Sequence, residues 1–225
     1  MTRYEEATGS DREDAAFLRE RRLTEEAAVA VADLVTVDRP IPLVVRSCDG
    51  AGSSYDPEAR RMEICYEEVS EVRDLFRQDG NQRADDEVAA VLLETIFHET
   101  AHALIDVLDL RVPGREEDFA DQFAALMLLD KGAVGELRLR AAAEAWRLLA
   151  EITEDADDSG EDEHSPDRER SVNELCYVYG SAPGRHRDLV SPDALPVGRA
   201  EGCVREWATV RGTWLNALGP ALREG

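Results

Sequence analysis

The spacing of apolar residues along the chain predicts a mostly helical protein with one small sheet near its N-terminus. Apolar side chains recur every three or four positions in several segments, which predicts helices at residues 12–36, 67–78, 81–110, 115–130, 136–153, 168–180 and 197–218. Residues 43–66 instead contain short β-branched and alternating stretches that are typical of a small antiparallel sheet. We therefore expect an α+β protein, with a flexible tail over residues 1–11 and a single domain over residues 12–225.

The segment 81–110 differs from the other predicted helices because it is apolar around most of its circumference. Three acidic residues at its start suit the positive end of a helix dipole, and Pro113 and Gly114 end it. We expect a central, buried helix. No stretch of the sequence approaches the roughly 20 apolar residues that span a bilayer, so membrane insertion is not expected.

Three polar residues, His98, Glu99 and His102, lie inside this apolar segment. Residues four apart share one face of a helix, so both imidazoles can bind one metal ion with Glu99 beside them. The alternative is a buried helix that carries two hydrogen-bonded histidines. However, the chain has only four histidines, and buried polar groups are costly without compensation. The pattern therefore favours a site for one zinc ion, which binds neutral imidazole readily.

The next predicted helix offers a third ligand. The connection over residues 111–114 is short, so the two helices must pack as an antiparallel hairpin. Glu117 and Asp121 lie four apart on the second helix, and we predict that Glu117 binds the metal and that Asp121 accepts a hydrogen bond from a ligand histidine. Glu116 is the rival ligand, but no carboxylate follows it four residues later. Acidic residues in the first turn of a helix interact favourably with its dipole. This alternative would explain Glu117 but not Asp121.

The sequence His98-Glu-x-x-His102 followed by Glu117-x-x-x-Asp121 resembles the gluzincin class of zinc metallopeptidases. The segment EDFADQFA is also similar to the pattern in repressor-cleaving zinc peptidases of bacteria. Most of the chain resembles an uncharacterised bacterial family described as "putative metallopeptidase", through the segments at 55–67, 97–124 and 162–183. This resemblance implies a zincin-like, minimal gluzincin domain that hydrolyses peptide bonds, with Glu99 activating a metal-bound water. It implies no particular substrate.

Such a reaction also needs a donor that stabilises the negative charge on the substrate carbonyl. Candidates are His164, Tyr177 and Tyr179. His164 follows Asp162-Glu163, where an adjoining carboxylate could orient it, although a solvated loop histidine is an equal alternative. For the two tyrosines, their apolar surroundings favour simple packing within a helix.

The net charge of −23 argues against nucleic acid and anionic lipid as partners, because both would be repelled. We expect a peptide or protein substrate. Two other functions stay open. The chain could be a zinc-stabilised scaffold or binding module that cleaves nothing, in which case a fourth protein ligand should close the metal site. It could also be a regulatory peptidase dedicated to one protein partner.

The four cysteines, Cys48, Cys65, Cys176 and Cys203, form no C-x-x-C pair, which argues against a four-thiolate zinc site. They could form two disulfides in an oxidising compartment or remain buried thiols in the cytosol. Their order suggests pairing of sequence neighbours, but four cysteines allow three pairings. Residues 1–20 lack the apolar core of a signal peptide. We expect an extracytoplasmic location if the cysteines are bonded and a leader has been removed, and otherwise a cytoplasmic one.

Overall fold

The computed structural model describes residues 2–82, 84–153 and 165–223. The helices in this part of the chain are α1 Asp11–Arg21, α2 Leu23–Leu34, α3 Glu68–Gln78, α4 Asp85–Leu108, α5 Glu116–Leu129, α6 Ala133–Thr153, α7 Asp167–Ser181 and α8 Val197–Leu218. The strands are β1 Thr2–Tyr4, β2 Leu43–Arg46, β3 Ser54–Asp56 and β4 Arg61–Cys65. The predicted α+β class, with helices in the majority, is confirmed.

The four strands form one mixed sheet in the order β1-β2-β4-β3. β2 is parallel to both β1 and β4, whereas β3 is antiparallel to β4. The antiparallel arrangement that we expected for the sheet therefore holds only for the β3–β4 pair. Parallel neighbours need a long crossover connection, and α1 and α2 provide the one between β1 and β2.

The N-terminal segment differs from the sequence prediction, because residues 2–4 form strand β1 instead of belonging to a flexible tail. The Tyr4 hydroxyl hydrogen-bonds the Thr24 hydroxyl at 2.9 Å. Farther along the chain, the Tyr66 hydroxyl donates to the Glu5 carbonyl oxygen at 2.7 Å. These partners lie 20 and 61 residues away in sequence, so a local reading of a short polar segment could not have found them.

The helix predicted over residues 12–36 is divided into α1 and α2 by Arg22. Its φ of 54° lies in the left-handed region, where an L-residue cannot continue an α-helix. The Arg22 N–H still bonds the Leu18 carbonyl at 3.0 Å, which closes the last turn of α1. Arginine has good helix propensity, so the sequence gives no local signal for this break.

Helix α4 lies at the centre of the protein, as the apolar pattern predicts. By length and composition alone it is the one helix in the described ranges that could cross a membrane, yet 89% of the relevant window is buried inside the protein. Such burial is typical of a core helix. Its neighbours include α5 and α6, whose inward faces supply much of the core.

Helix α5 is anchored close to its first turn by an aromatic contact with α8. The Phe119 ring stacks on Trp214 with ring centres 4.0 Å apart. The Trp214 indole N–H also donates to the Phe119 carbonyl at 2.9 Å, so the polar atom of a fully buried tryptophan is satisfied. This contact fixes the rotation of α5 and with it the direction of the Glu117 side chain.

The cysteines form the two pairs that their order in the sequence suggests. Cys48 is bonded to Cys65, and Cys176 is bonded to Cys203. The second bond joins α7 to α8 where the two helices approach closely at Gly180, since a Cβ there would lie 2.3 Å from the Cys203 carbonyl oxygen. Pairs at disulfide distance are typical of an oxidising, extracytoplasmic compartment.

A thiol assay on the unreduced, denatured protein should therefore detect no free cysteine, and reduction should release four thiols. The two bonds close loops of 17 and 27 residues. Each is expected to stabilise the fold by about 3 kcal/mol, mainly by restricting the unfolded chain. Denaturant unfolding with and without reductant measures this difference. Four thiols in the unreduced sample would disprove the pairing.

Candidate metal centre

The hairpin of α4 and α5 brings the predicted metal ligands together. Asp109 ends α4 in a left-handed conformation with φ 51°, and Gly114 has φ 109°, so the chain reverses within a few residues. The first turn of α5 then lies against the last turns of α4. His98, His102 and Glu117 consequently offer ligand atoms that all lie within 4.8 Å of one another.

The three facing atoms of these side chains form a small triangle. Nε2 of His98 lies 3.1 Å from Nε2 of His102, and Glu117 Oε2 lies 3.0 Å and 3.3 Å from the same two nitrogens. Tetrahedral ligands at about 2.0–2.1 Å from one zinc ion lie roughly 3.3–3.4 Å apart. Two imidazoles and one carboxylate at this spacing fit a zinc ion without rearrangement of the helices.

The outer nitrogens of both histidines also have carboxylate partners. Nδ1 of His98 lies 2.8 Å from Asp121 Oδ1, and Nδ1 of His102 lies 2.9 Å from Glu116 Oε1. Such contacts fix the tautomer of an imidazole and direct its other nitrogen toward a metal. Glu116, the rival ligand of the sequence analysis, thus contacts the far side of His102 and not the triangle.

Arg170 of α7, which was not predicted from the sequence, completes this arrangement. Its guanidinium donates to both Asp121 oxygens, at 2.9 Å and 2.7 Å. It also lies over the Trp146 ring, 3.5 Å from the ring centre. Burial alone would raise the pKa of Asp121, but Arg170 and His98 outweigh it, so the pKa is lowered and the carboxylate stays charged.

Protons and a metal ion compete for His98. Burial lowers the pKa of this imidazole, but the hydrogen bonds to Asp121 and Glu117 outweigh burial and raise the pKa to about 10. The same carboxylates that hold a proton on a metal-free site would stabilise a bound cation. Metal binding should therefore release protons.

Glu99 lies beside the triangle and is only 7% exposed. Burial raises the pKa of its carboxyl group, while the two histidines and a hydrogen bond from the Tyr55 backbone partly oppose this rise. A carboxylate with a raised pKa is a better proton acceptor near neutral pH. The backbone contact also places the edge strand β3 next to this carboxylate.

Two cavities meet at these residues. The larger, of about 590 Å³, is bordered by all three triangle residues, by Glu99 and by residues of β3. The smaller, of about 280 Å³, extends between α3, α4 and α6. His98 and Glu99 border both cavities. The candidate metal centre therefore has room for solvent and for a larger molecule.

A family model, DUF4344, described as "Putative metallopeptidase", matches residues 4–218. The chain belongs to this family. No curated protein and no solved structure matches it. The match spans both helices of the hairpin, and membership of this family supports a metal-dependent enzyme that hydrolyses peptide bonds.

The two tyrosines predicted as charge-stabilising donors, Tyr177 and Tyr179, lie away from the centre. Tyr177 is buried, hydrogen-bonds Gln122 and packs against Trp207 with ring centres 5.9 Å apart. Neither Tyr177 nor Tyr179 borders the two cavities, because both project from α7 toward its packing partners. His164 lies outside the described residues. The structure thus gives no support for a tyrosine of α7 in the chemistry.

Tyr55 borders the larger cavity instead. Its hydroxyl donates to Asp106 Oδ2 at 2.7 Å. Burial, and to a smaller extent the neighbouring Asp106, raises the pKa of the Tyr55 phenol, so the hydroxyl stays protonated and neutral. Tyr55 could not be predicted from the sequence, because it precedes His98 by more than 40 residues and only the position of β3 brings it near.

Proposed function

We propose that the protein is a zinc-dependent peptidase whose metal is held by His98, His102 and Glu117. This proposal rests on the triangle of ligand atoms from His98, His102 and Glu117. The triangle borders a cavity and has the buried carboxylate of Glu99 beside it. Catalytic zinc sites use three protein ligands and leave a position for solvent, whereas structural sites use four. The described residues offer three ligands at the triangle, which favours the catalytic type over a closed scaffold.

In this proposal each residue has a distinct task. A bound zinc ion would lower the pKa of a coordinated water toward about 7 and polarise the substrate carbonyl. Glu99 accepts the proton of the attacking water and passes it to the leaving amine. Asp121 and Glu116 hold the two imidazoles in orientation through their Nδ1 atoms. Arg170 keeps Asp121 charged and fixed.

An extended peptide is the substrate that best matches the larger cavity. Strand β3 is at the edge of the sheet, and residues 53–55 border the cavity together with His98 and Glu99. Apart from the Tyr55 N–H, which donates to Glu99, the outward backbone groups of an edge strand can pair with an extended chain. Tyr55 borders the same cavity, and we infer that its hydroxyl oxygen, whose proton is donated to Asp106, accepts a hydrogen bond from a substrate N–H.

A regulatory peptidase dedicated to one protein would use the same site, because it differs only in substrate. It predicts that a mixture of unrelated peptides is left intact while a protein encoded beside this one is cleaved. The open cavity and the exposed edge of β3 favour the broader activity.

Removal of the metal should abolish hydrolysis reversibly. Purified protein is expected to contain about one zinc ion per chain and to cleave a mixture of peptides detectably by mass spectrometry. Dialysis against a chelator should stop cleavage, and added Zn²⁺ should restore it. Mg²⁺ is the matched control and should not restore it, since it prefers oxygen ligands. Full activity of the metal-free protein would refute the proposal. An intact peptide mixture with zinc bound would refute the broad activity and favour the peptidase dedicated to one protein.

A further inference from the structure

The smaller cavity, of about 280 Å³, adjoins the candidate metal centre and has a different character from the larger one. It shares His98 and Glu99 with the centre and extends away from them between three helices. Most of its surface is apolar, contributed by Val72 and Leu75 of α3, Val91 of α4, and Ala145, Trp146 and Leu149 of α6. Its size suits one amino-acid side chain, and its walls suit an aliphatic one.

Carboxylates are nevertheless placed along this cavity. Glu71 is exposed on α3, Glu68 is half-buried, and Glu94 of α4 is only 2% exposed. Oε1 of Glu94 is buried and has no hydrogen-bond partner among the described residues. A buried carboxylate oxygen without a partner is costly and usually marks a place where a ligand or a water completes the structure.

The two basic residues that border the cavity, Arg170 and His98, do not neutralise its acids. Arg170 donates to both oxygens of Asp121, and its planar face is covered by the Trp146 ring. Its charge is therefore largely matched by Asp121, which lies outside the lining of this cavity. The lining contains four carboxylic acids, Glu68, Glu71, Glu94 and Glu99, against two basic residues, so acidic groups are in excess and the interior favours a positively charged occupant.

We propose that this cavity binds a lysine or arginine side chain of the substrate, at a residue adjoining the scissile bond. The aliphatic stem packs between α3 and α6, and the cationic head contacts Glu94, with Glu68 and Glu71 lining the same cavity. The occupant adjoins the scissile bond because His98 and Glu99 border this cavity as well as the larger one. This inference rests on the proposed peptidase function and adds the class of substrate to it.

A binding experiment tests the pocket separately from hydrolysis. Zinc-loaded Glu99→Gln protein is titrated in a calorimeter with three peptides that differ at one position, which carries lysine, norleucine or glutamate. Norleucine has the stem of lysine without its charge. We expect lysine to bind at least about tenfold more tightly than norleucine, and glutamate to bind most weakly. Equal affinity for lysine and norleucine would overturn the proposal.

The charge of Glu94 should account for the preference. In a Glu94→Gln variant on the same background, the ratio of norleucine to lysine dissociation constants should fall toward one, and Glu71→Gln should lower it less because that residue is exposed. Glu201→Gln, the same change at an exposed position of α8, is the control and should preserve the ratio. Zinc content is measured for each variant. A ratio unchanged by Glu94→Gln contradicts the inference.

Cleavage of the same peptides by the unmodified protein separates the two proposals. Hydrolysis of the lysine peptide at least about tenfold faster than the norleucine peptide supports both. Equal hydrolysis of the two overturns the pocket assignment and leaves the peptidase intact. Selective binding of lysine by the Glu99→Gln protein, with no peptide cleaved by the unmodified protein, supports the pocket and refutes the broad peptidase activity.

Discussion

Replacement of Glu99 by glutamine is expected to abolish peptide hydrolysis while the protein keeps its zinc. Glutamine has nearly the same shape, but its amide cannot accept the proton of the attacking water. General-base catalysis typically contributes a factor of about 10²–10⁴ to the rate, so the rate should fall by at least that amount. Glu99 is outside the triangle of ligand atoms formed by His98, His102 and Glu117, and zinc affinity should therefore change little. Initial rates and zinc content measured on one preparation test both parts.

A second glutamate of α4 provides the control for this experiment. Glu87 lies in the first turn of the helix and borders neither cavity at the centre. Glu87→Gln makes the same chemical change and should leave the rate within about twofold. If Glu99→Gln retained most of the activity, Glu99 would not be the base. If this variant lost zinc together with activity, the role of Glu99 would be structural instead.

The hairpin that carries the centre was predictable because its signals are local. Pro113 and Gly114 mark a short connection, the apolar run before them identifies a buried helix, and helical spacing alone puts His98 and His102 on one face. A short connection between two helices allows few arrangements other than an antiparallel pair. The grouping of Glu117 with the two histidines follows from this constraint, which needs no knowledge of the remaining chain.

The parts that could not be predicted depend on contacts between distant segments. Arg170 lies 49 residues beyond Asp121, and its bond requires α7 to return to the α4–α5 hairpin. Tyr55 reaches the larger cavity only because β3 is the edge strand of the sheet. A pattern in the sequence reports which face of a helix is apolar, but it does not report which helix covers that face.

The topology of the sheet could not be predicted for the same reason. The alternating residues of β4 correctly indicate a strand, yet the direction of each neighbour depends on the path of the chain between strands. β1 is too short for periodicity to identify, and it is held by partners such as Thr24 that are remote in sequence. The α+β class was therefore predictable from composition and the spacing of apolar residues, whereas the mixed parallel and antiparallel arrangement of the sheet was not.

Glu117 and its neighbour Glu116 offer the strongest test of which carboxylate binds the metal. Glu117→Gln should lower zinc affinity by more than the 10–100-fold that is typical for loss of an outer hydrogen-bond partner, because it removes a charged ligand atom from the triangle. Hydrolysis should be lost with the metal. Competition with a chromophoric zinc chelator measures the affinity, and metal analysis after dialysis gives the occupancy.

Glu116→Gln is the matched control, one residue away and with the same change of charge. Its side chain contacts Nδ1 of His102, and the glutamine carbonyl can still accept that hydrogen bond, so the loss of affinity should stay below about tenfold. The comparison is decisive because the two assignments of the ligand differ in what they predict. If Glu117 binds the metal, Glu117→Gln loses more zinc affinity than Glu116→Gln, and if Glu116 binds it, the reverse holds. If Glu116→Gln lost zinc and Glu117→Gln kept it, Glu116 would be the metal ligand. The geometry proposed for the centre would then be wrong, since Glu116 contacts the far side of His102.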